Sequence, residues 1–152
     1  MMEIERKFLV DTTIWKPSVA GEKIVQGYLS TDKKRVVRVR TKGNKAYLTI
    51  KGANAGIKRP EFEYEIPHGD AMQMLQLSKD VPIEKTRYTE LHAGKLWEID
   101  VFEKANEGLV LAEVELQHEN ENVDLPDWIT DEVSFDKRYF NAWLSQHPFT
   151  KW

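Results

Sequence analysis

The chain contains no cysteine. Disulfides, thiolate metal sites and a cysteine nucleophile are therefore excluded, and the composition fits a reducing compartment. No apolar run approaches the roughly 18 residues of a membrane span. Acids at Glu3 and Glu5 stand where a secretory leader would carry a basic and then an apolar stretch. A soluble cytoplasmic protein, bound to neither membrane nor nucleic acid, is expected. Histidine is scarce, and His68, His92, His118 and His147 fall at turns and ends without a ligand spacing. No phosphate-cradling glycine loop and no dinucleotide-binding fingerprint occur.

What is present suits a folded domain. The 152 residues include five Trp, five Tyr and six Phe, enough to fill a sizeable core, and they are expected to form one domain over residues 1–152. The net charge of −3 hides 22 basic and 25 acidic side chains, so their arrangement matters more than their sum. That balance does not suggest a nucleic-acid coat.

Charge and hydrophobicity alternate with a period of two, the period of a strand with two unlike faces. In Glu3–Val10 the side chains of Glu3, Glu5 and Lys7 share one face, opposite Ile4, Phe8 and Val10. The pattern recurs over Ile24–Ser30, Val36–Lys42, Ala46–Lys51, Arg59–Ile66, Ile83–Leu91, Leu96–Phe102 and Leu109–Leu116, giving eight strands. Lys42-Gly43-Asn44-Lys45 and Ala93-Gly94 mark hairpin turns. Helical spacing is confined to Asp70–Ser78, behind a possible Asp70 cap, and to the segment from Ser134, where Phe135, Tyr139, Trp143 and Leu144 form an apolar stripe. The fold class is mainly β with a few helices.

The polar faces carry acids at Glu3, Glu5, Glu61, Glu63, Glu98, Asp100, Glu113 and Glu115. Bases stand at Lys7, Arg38, Arg40, Lys51, Arg59, Lys85 and Arg87. Two packings satisfy this: a sandwich with its charged faces in water, or a sheet closed on itself with the charges inside. Carboxylates suit Mg2+ or Mn2+, which take oxygen ligands, and Arg and Lys suit phosphate oxygens. Acids and bases segregate by strand, a pattern that describes a metal-bridged polyphosphate site.

Glu3-Ile4-Glu5-Arg6-Lys7 reads ExExK. It is followed in order by Gln26-Gly27-Tyr28-Leu29, Arg38-Val39-Arg40, Leu48-Thr49-Ile50-Lys51, Glu61-Phe62-Glu63, Glu84-Lys85-Thr86-Arg87-Tyr88, Glu98-Ile99-Asp100-Val101-Phe102, Glu113-Val114-Glu115 and Asp136-Lys137-Arg138-Tyr139. This ordered set resembles the CYTH superfamily of triphosphate tunnel metalloenzymes, in particular its small single-domain bacterial members, and spans almost the whole chain. The resemblance implies a closed eight-stranded antiparallel β-barrel tunnel with a charged interior, helices outside and a C-terminal plug helix.

It also implies roles. Glu3, Glu5, Asp100, Glu113 and Glu115 would bind one or two divalent cations, with Glu61 and Glu63 as further candidates. Lys7, Arg38, Arg40, Lys51, Lys85 and Arg87 would hold phosphate, Arg59 would be an outer ion-pair partner, and Tyr28 and Arg138 would touch substrate. Lys85, crowded by Arg38, Arg40 and Arg87, and Glu5 are the catalytic candidates. The implied reaction is hydrolysis of inorganic tripolyphosphate to pyrophosphate and phosphate with Mg2+ or Mn2+, by a monomer or homodimer. Adenylate cyclase, thiamine triphosphatase and a non-catalytic polyphosphate-binding module remain alternatives.

Overall fold

Nine strands form one antiparallel sheet, and its closure turns on the first of them. The computed structural model describes residues 1–152. The strands are β1 (Met2–Val10), β2 (Glu22–Ser30), β3 (Val36–Lys42), β4 (Lys45–Lys51), β5 (Lys58–Ile66), β6 (Ile83–His92), β7 (Lys95–Phe102), β8 (Val110–Glu115) and β9 (Ile129–Glu132), with helices α1 (His68–Leu75) and α2 (Asn141–Gln146). Their order is β5-β4-β3-β2-β6-β7-β8-β1-β9, and β1 also pairs with β5, so eight strands close into a barrel. The seam is short. Only Met2, Glu3 and Ile4 pair with Pro60, Arg59 and Lys58, after which β9 takes over that edge of β1 at Phe8 and Val10.

Directly opposed residues on neighbouring strands share a face. The register opposes Tyr28 to Arg38, Gln26 to Arg40, Arg87 to Asp100 and Lys7 to Glu113, which collects the charged row on one side. Lys7, Arg38, Arg40, Lys51, Lys85 and Asp100 are buried, so that side is the lumen and the closed packing is the one adopted.

Two covers shield the outer face. Ala71 and Leu75 of α1 pack on Val39 and Ala46. Trp15 and Trp128 from the connections pack on Phe8, Trp97, Ile99, Ala112 and Val114. The approach of α1 depends on Gly27, where an added Cβ would lie 2.8 Å from the Ser78 Cβ and 3.3 Å from Leu75 Cδ2. Gly27→Val is therefore expected to cost about 1–3 kcal/mol by overpacking, seen as a lower urea midpoint. An unchanged midpoint would mean that α1 yields freely there.

The lumen is not charged along its whole length. Tyr28, Val36, Ile83, Phe102, Leu109 and Leu111 lie at one end and are stoppered by Val133, Tyr139 and Leu144. The plug expected at the C-terminus is present in another form. Its helix is only Asn141–Gln146, preceded by a 3-10 turn at Lys137–Tyr139. Ser134 does not cap a helix but accepts a hydrogen bond from the Lys7 backbone N–H at 2.9 Å, and Phe135 lies exposed outside the plug. Likewise α1 starts after Pro67, with Asp70 in its first turn and making no side-chain cap. No helix is long and apolar enough to cross a membrane.

Candidate active site

One wall of the lumen is basic. Valines alternating along β3 anchor its outer face, so Arg38 and Arg40 project inward. The Nη2 atoms of both stand 3.3 Å from Glu63 Oε2, and Thr49 Oγ1 donates to the same oxygen at 2.7 Å. Burial raises the Glu63 carboxyl, but the Thr49 hydrogen bond and the two guanidiniums outweigh it and leave the pKa lowered. Lys51 Nζ lies 3.2 Å from Glu3 and 3.1 Å from Glu61, and Arg59 Nε lies 3.4 Å from Glu3. Glu3, Glu61 and Glu63, expected as cation ligands, stand in this conformation as ion-pair partners of the lysine and arginines of this wall. Arg59, expected as an outer ion-pair partner, pairs with Glu3 in the charged row.

That wall keeps unused donors. The Nε–H groups of Arg38 and Arg40 are buried and have no partner. Burial, then Arg38 and Arg87, push the Arg40 guanidinium down to about 10, which leaves it charged at neutral pH. Burial also raises the Tyr28 phenol beside Arg38, so it stays protonated. Arg138 does not join the group. More than half exposed, it is held by Asp136 at 2.7 Å and lies over the rings of Tyr139 and Trp152.

The opposite wall centres on Asp100. Lys85 Nζ lies 2.7 Å from Asp100 Oδ2, while Arg87 donates from Nε and Nη2 to its two oxygens at 2.7 and 2.9 Å. Burial pushes the Asp100 carboxyl up, but Arg87 and Lys85 outweigh it and hold it well below the usual carboxylate range. Asp100 was expected to bind a cation; both of its oxygens are instead taken by protein donors. Arg87 also reaches Glu98 at 3.1 Å. Burial pushes Lys85 down to about 8, because Asp100 offsets only part of the desolvation and Arg87 adds to it.

Two carboxyls remain against each other. Burial, together with the Glu113 and Glu3 charges beside it, raises the Glu5 carboxyl well above its ordinary value. For Glu113 burial acts upward too, but Lys7, the hydrogen bond from Glu5 and Arg87 outweigh it and hold it at about 2. Two carboxylates in one site cannot both ionise cheaply, so one keeps a proton. Glu115, opposite Glu5 in the register, is exposed beside this pair.

The C-terminal segment also enters the site. Lys7 Nζ donates to the Tyr139 carbonyl at 3.0 Å, and Asn141 Oδ1 accepts from Lys85 at 3.0 Å and from Gln26 Nε2 at 2.8 Å. Sequence reasoning assigned no chemistry to Gln26 or Asn141. The signal available was the place of Gln26 on the face of Tyr28.

A family model described as the CYTH domain matches residues 1–141. The chain belongs to the CYTH family. An inorganic triphosphatase from Acetivibrio thermocellus is 47% identical over 148 residues, covering 97% of this chain and 95% of that protein. One from Nitrosomonas europaea is 36% identical over 149 residues, covering 95% and 97%. The crystal structure of an inorganic triphosphatase superposes with a TM-score of 0.68 at 34% identity over 94% of this chain and 93% of that one.

Within this CYTH lumen the donor chemistry fits a hard divalent cation at Glu5 and Glu113. They supply only oxygen ligands, and a cation between them would offset the like charge that raises Glu5. No three carboxylate or imidazole side chains converge in this conformation, so a cation held by the pair would need further oxygen ligands from outside the protein.

Proposed function

We propose that this CYTH protein hydrolyses inorganic tripolyphosphate to pyrophosphate and phosphate with Mg2+ or Mn2+. The observation that carries the reading is the lumen itself: the buried Arg38 and Arg40 guanidiniums, with unpartnered Nε–H donors, share the inner face of the closed barrel with the Glu5 and Glu113 carboxyls. The names of the two relatives support it. Val133, Tyr139 and Leu144 fill the apolar end of the lumen and leave no room there for an organic group on the phosphate chain.

Arg38, Arg40 and Lys51 on one wall and Lys7 and Arg87 on the other would hold the phosphate oxygens, with Tyr28 bordering the basic wall. Donors fixed before substrate arrives stabilise the charge spread over the equatorial oxygens without reorganising. Glu5 and Glu113, supported by Glu3 and Glu115, would hold the cation, which when bound neutralises phosphate charge and polarises the phosphoryl group. In the reaction a water oxygen bonds to the terminal phosphorus, the bridging P–O bond breaks with its electron pair going to pyrophosphate, and the water proton passes to neutral Lys85.

The proton-accepting role has a defined pH signature. With Lys85 pushed down to about 8, its neutral fraction grows about tenfold per pH unit below that value and saturates above it. kcat/KM, which reports groups of the free enzyme, is expected to rise towards pH 8 and then level. Lys85→Arg should keep binding and abolish turnover. A flat profile from pH 6.5 to 9, or an active Lys85→Arg variant, overturns the role. The function itself is tested by incubating the protein with tripolyphosphate, ATP and thiamine triphosphate, each with Mg2+ or Mn2+, and measuring phosphate and cyclic AMP. Phosphate release from tripolyphosphate above the other two is the expected result, whereas turnover of none of them rejects an enzyme.

A further inference from the structure

Gln26 is fully buried in the lumen, and its Oε1 has no hydrogen-bond partner. A buried unsatisfied acceptor costs about 1–3 kcal/mol, so one pointing into a site asks for a donor. The orientation of this amide is fixed by its neighbours. The Lys85 ammonium can only donate, so Asn141 must turn its Oδ1 towards it. The same Oδ1 faces Gln26 at 2.8 Å, so Gln26 must present Nε2 there and leave Oε1 free. Both acceptor positions of Asn141 Oδ1 are then filled.

Lys85 is constrained in the same way. Asp100 Oδ2 at 2.7 Å and Asn141 Oδ1 at 3.0 Å take two of the three positions on Nζ. One position is left: an N–H in the ammonium, and the lone pair that accepts a water O–H once Lys85 is neutral. A water in reach of that position and of Gln26 Oε1 would be held by two groups whose own orientations are locked by a third, Asn141, from the C-terminal segment. Gln26 is opposed to Arg40 in the register, so this water would lie beside the basic wall where the phosphate chain is proposed to sit.

The geometry points to Gln26 as the residue that seats the attacking water, with Asn141 as the positioning residue that fixes both Gln26 and Lys85. This assignment rests on the hydrolytic reading above. It gives the stopper a second function: besides filling the apolar end of the lumen, it orients the groups around the nucleophile.

Steady-state kinetics with tripolyphosphate and Mg2+ test it on the unmodified protein, Gln26→Met, Asn141→Leu and the double variant, with pyrophosphate binding followed by calorimetry. Gln26→Met keeps the side-chain volume and removes the acceptor. It is expected to lower kcat about 10²-fold, the scale of a lost proton-transfer or water-positioning group, with KM and pyrophosphate binding within about threefold of the unmodified values. Asn141→Leu should cost about tenfold in kcat, and the double variant far less than the product of the two, because both act on one water. Unchanged kcat in Gln26→Met, a raised KM with kcat intact, lost pyrophosphate binding or multiplicative effects would each overturn the assignment. An inactive unmodified protein would instead overturn the hydrolytic reading itself.

Discussion

Replacing Glu113 by Gln is expected to reduce tripolyphosphate hydrolysis by about 10²–10³-fold, with excess Mn2+ restoring part of the loss. Glu113 is half of the carboxyl pair in the lumen and is held ionised at about 2 because Lys7, Glu5 and Arg87 outweigh its burial. An amide there would remove one anionic oxygen from the proposed cation site, and metal assistance is worth several kcal/mol of transition-state stabilisation, or about tenfold in rate for each 1.4 kcal/mol. The variant also relieves Glu5 of its largest like-charge neighbour, so the Glu5 carboxyl should fall towards its ordinary range. Carbon-detected NMR of the carboxyl groups would read that fall independently of activity. Full turnover in Glu113→Gln at low metal concentration would remove the pair from the cation site.

Asp100→Asn is expected to weaken the folded state by about 3–5 kcal/mol, the usual cost of leaving buried charge without its partner. Asp100 and Lys85 are each about 2% exposed, and Asp100 accepts from both Lys85 and Arg87. The variant would leave two buried cations facing a neutral amide. Lys85 can escape by losing its proton, so the loss should be larger at pH 6 than at pH 9. Urea unfolding with a chelator present separates the two roles open to this residue. A metal ligand would change stability only when metal is present; the ion-pair partner described here changes it without metal. An unaltered metal-free midpoint would return Asp100 to the cation site.

Much of the barrel was legible because alternation fixes strands and faces at once. Val36 to Lys42 could be read as a strand with Arg38 and Arg40 on one side, since the valines between them need a core. The family motifs then chose the closed packing over the sandwich. Partner assignments were not legible, because they depend on register between strands distant in sequence. Nothing in Glu61-Phe62-Glu63 alone says that Glu63 sits under Arg38 and Arg40, and nothing in Glu98-Ile99-Asp100 says that Asp100 faces Arg87. Acids that read as cation ligands could therefore turn out to be counter-ions of the basic wall.

The stopper was hidden for a different reason. Val36, Ile83, Phe102 and Leu111 lie on the same face as the charges, and alternation does not say at which point along a strand a polar lumen becomes an apolar one. β9 is four residues long, three of them polar, too short to show a period. In the segment from Ser134, Tyr139 and Leu144 are buried, but no single helix carries them: Phe135 is 73% exposed, Tyr139 lies in a 3-10 turn and the helix begins only at Asn141. Asn141 enters the site through that turn, so no strand pattern could have placed it.

One lumen is proposed to hold a cation on the Glu5–Glu113 side and a phosphate chain against the basic wall. It is tested most directly by anomalous diffraction from crystals grown with Mn2+ and tripolyphosphate. An anomalous peak is expected within coordination distance of Glu5 and Glu113, with phosphate density contacting Arg38, Arg40 and Arg87. A cation bound at Asp100 or outside the barrel, or phosphate density away from the lumen, would contradict it.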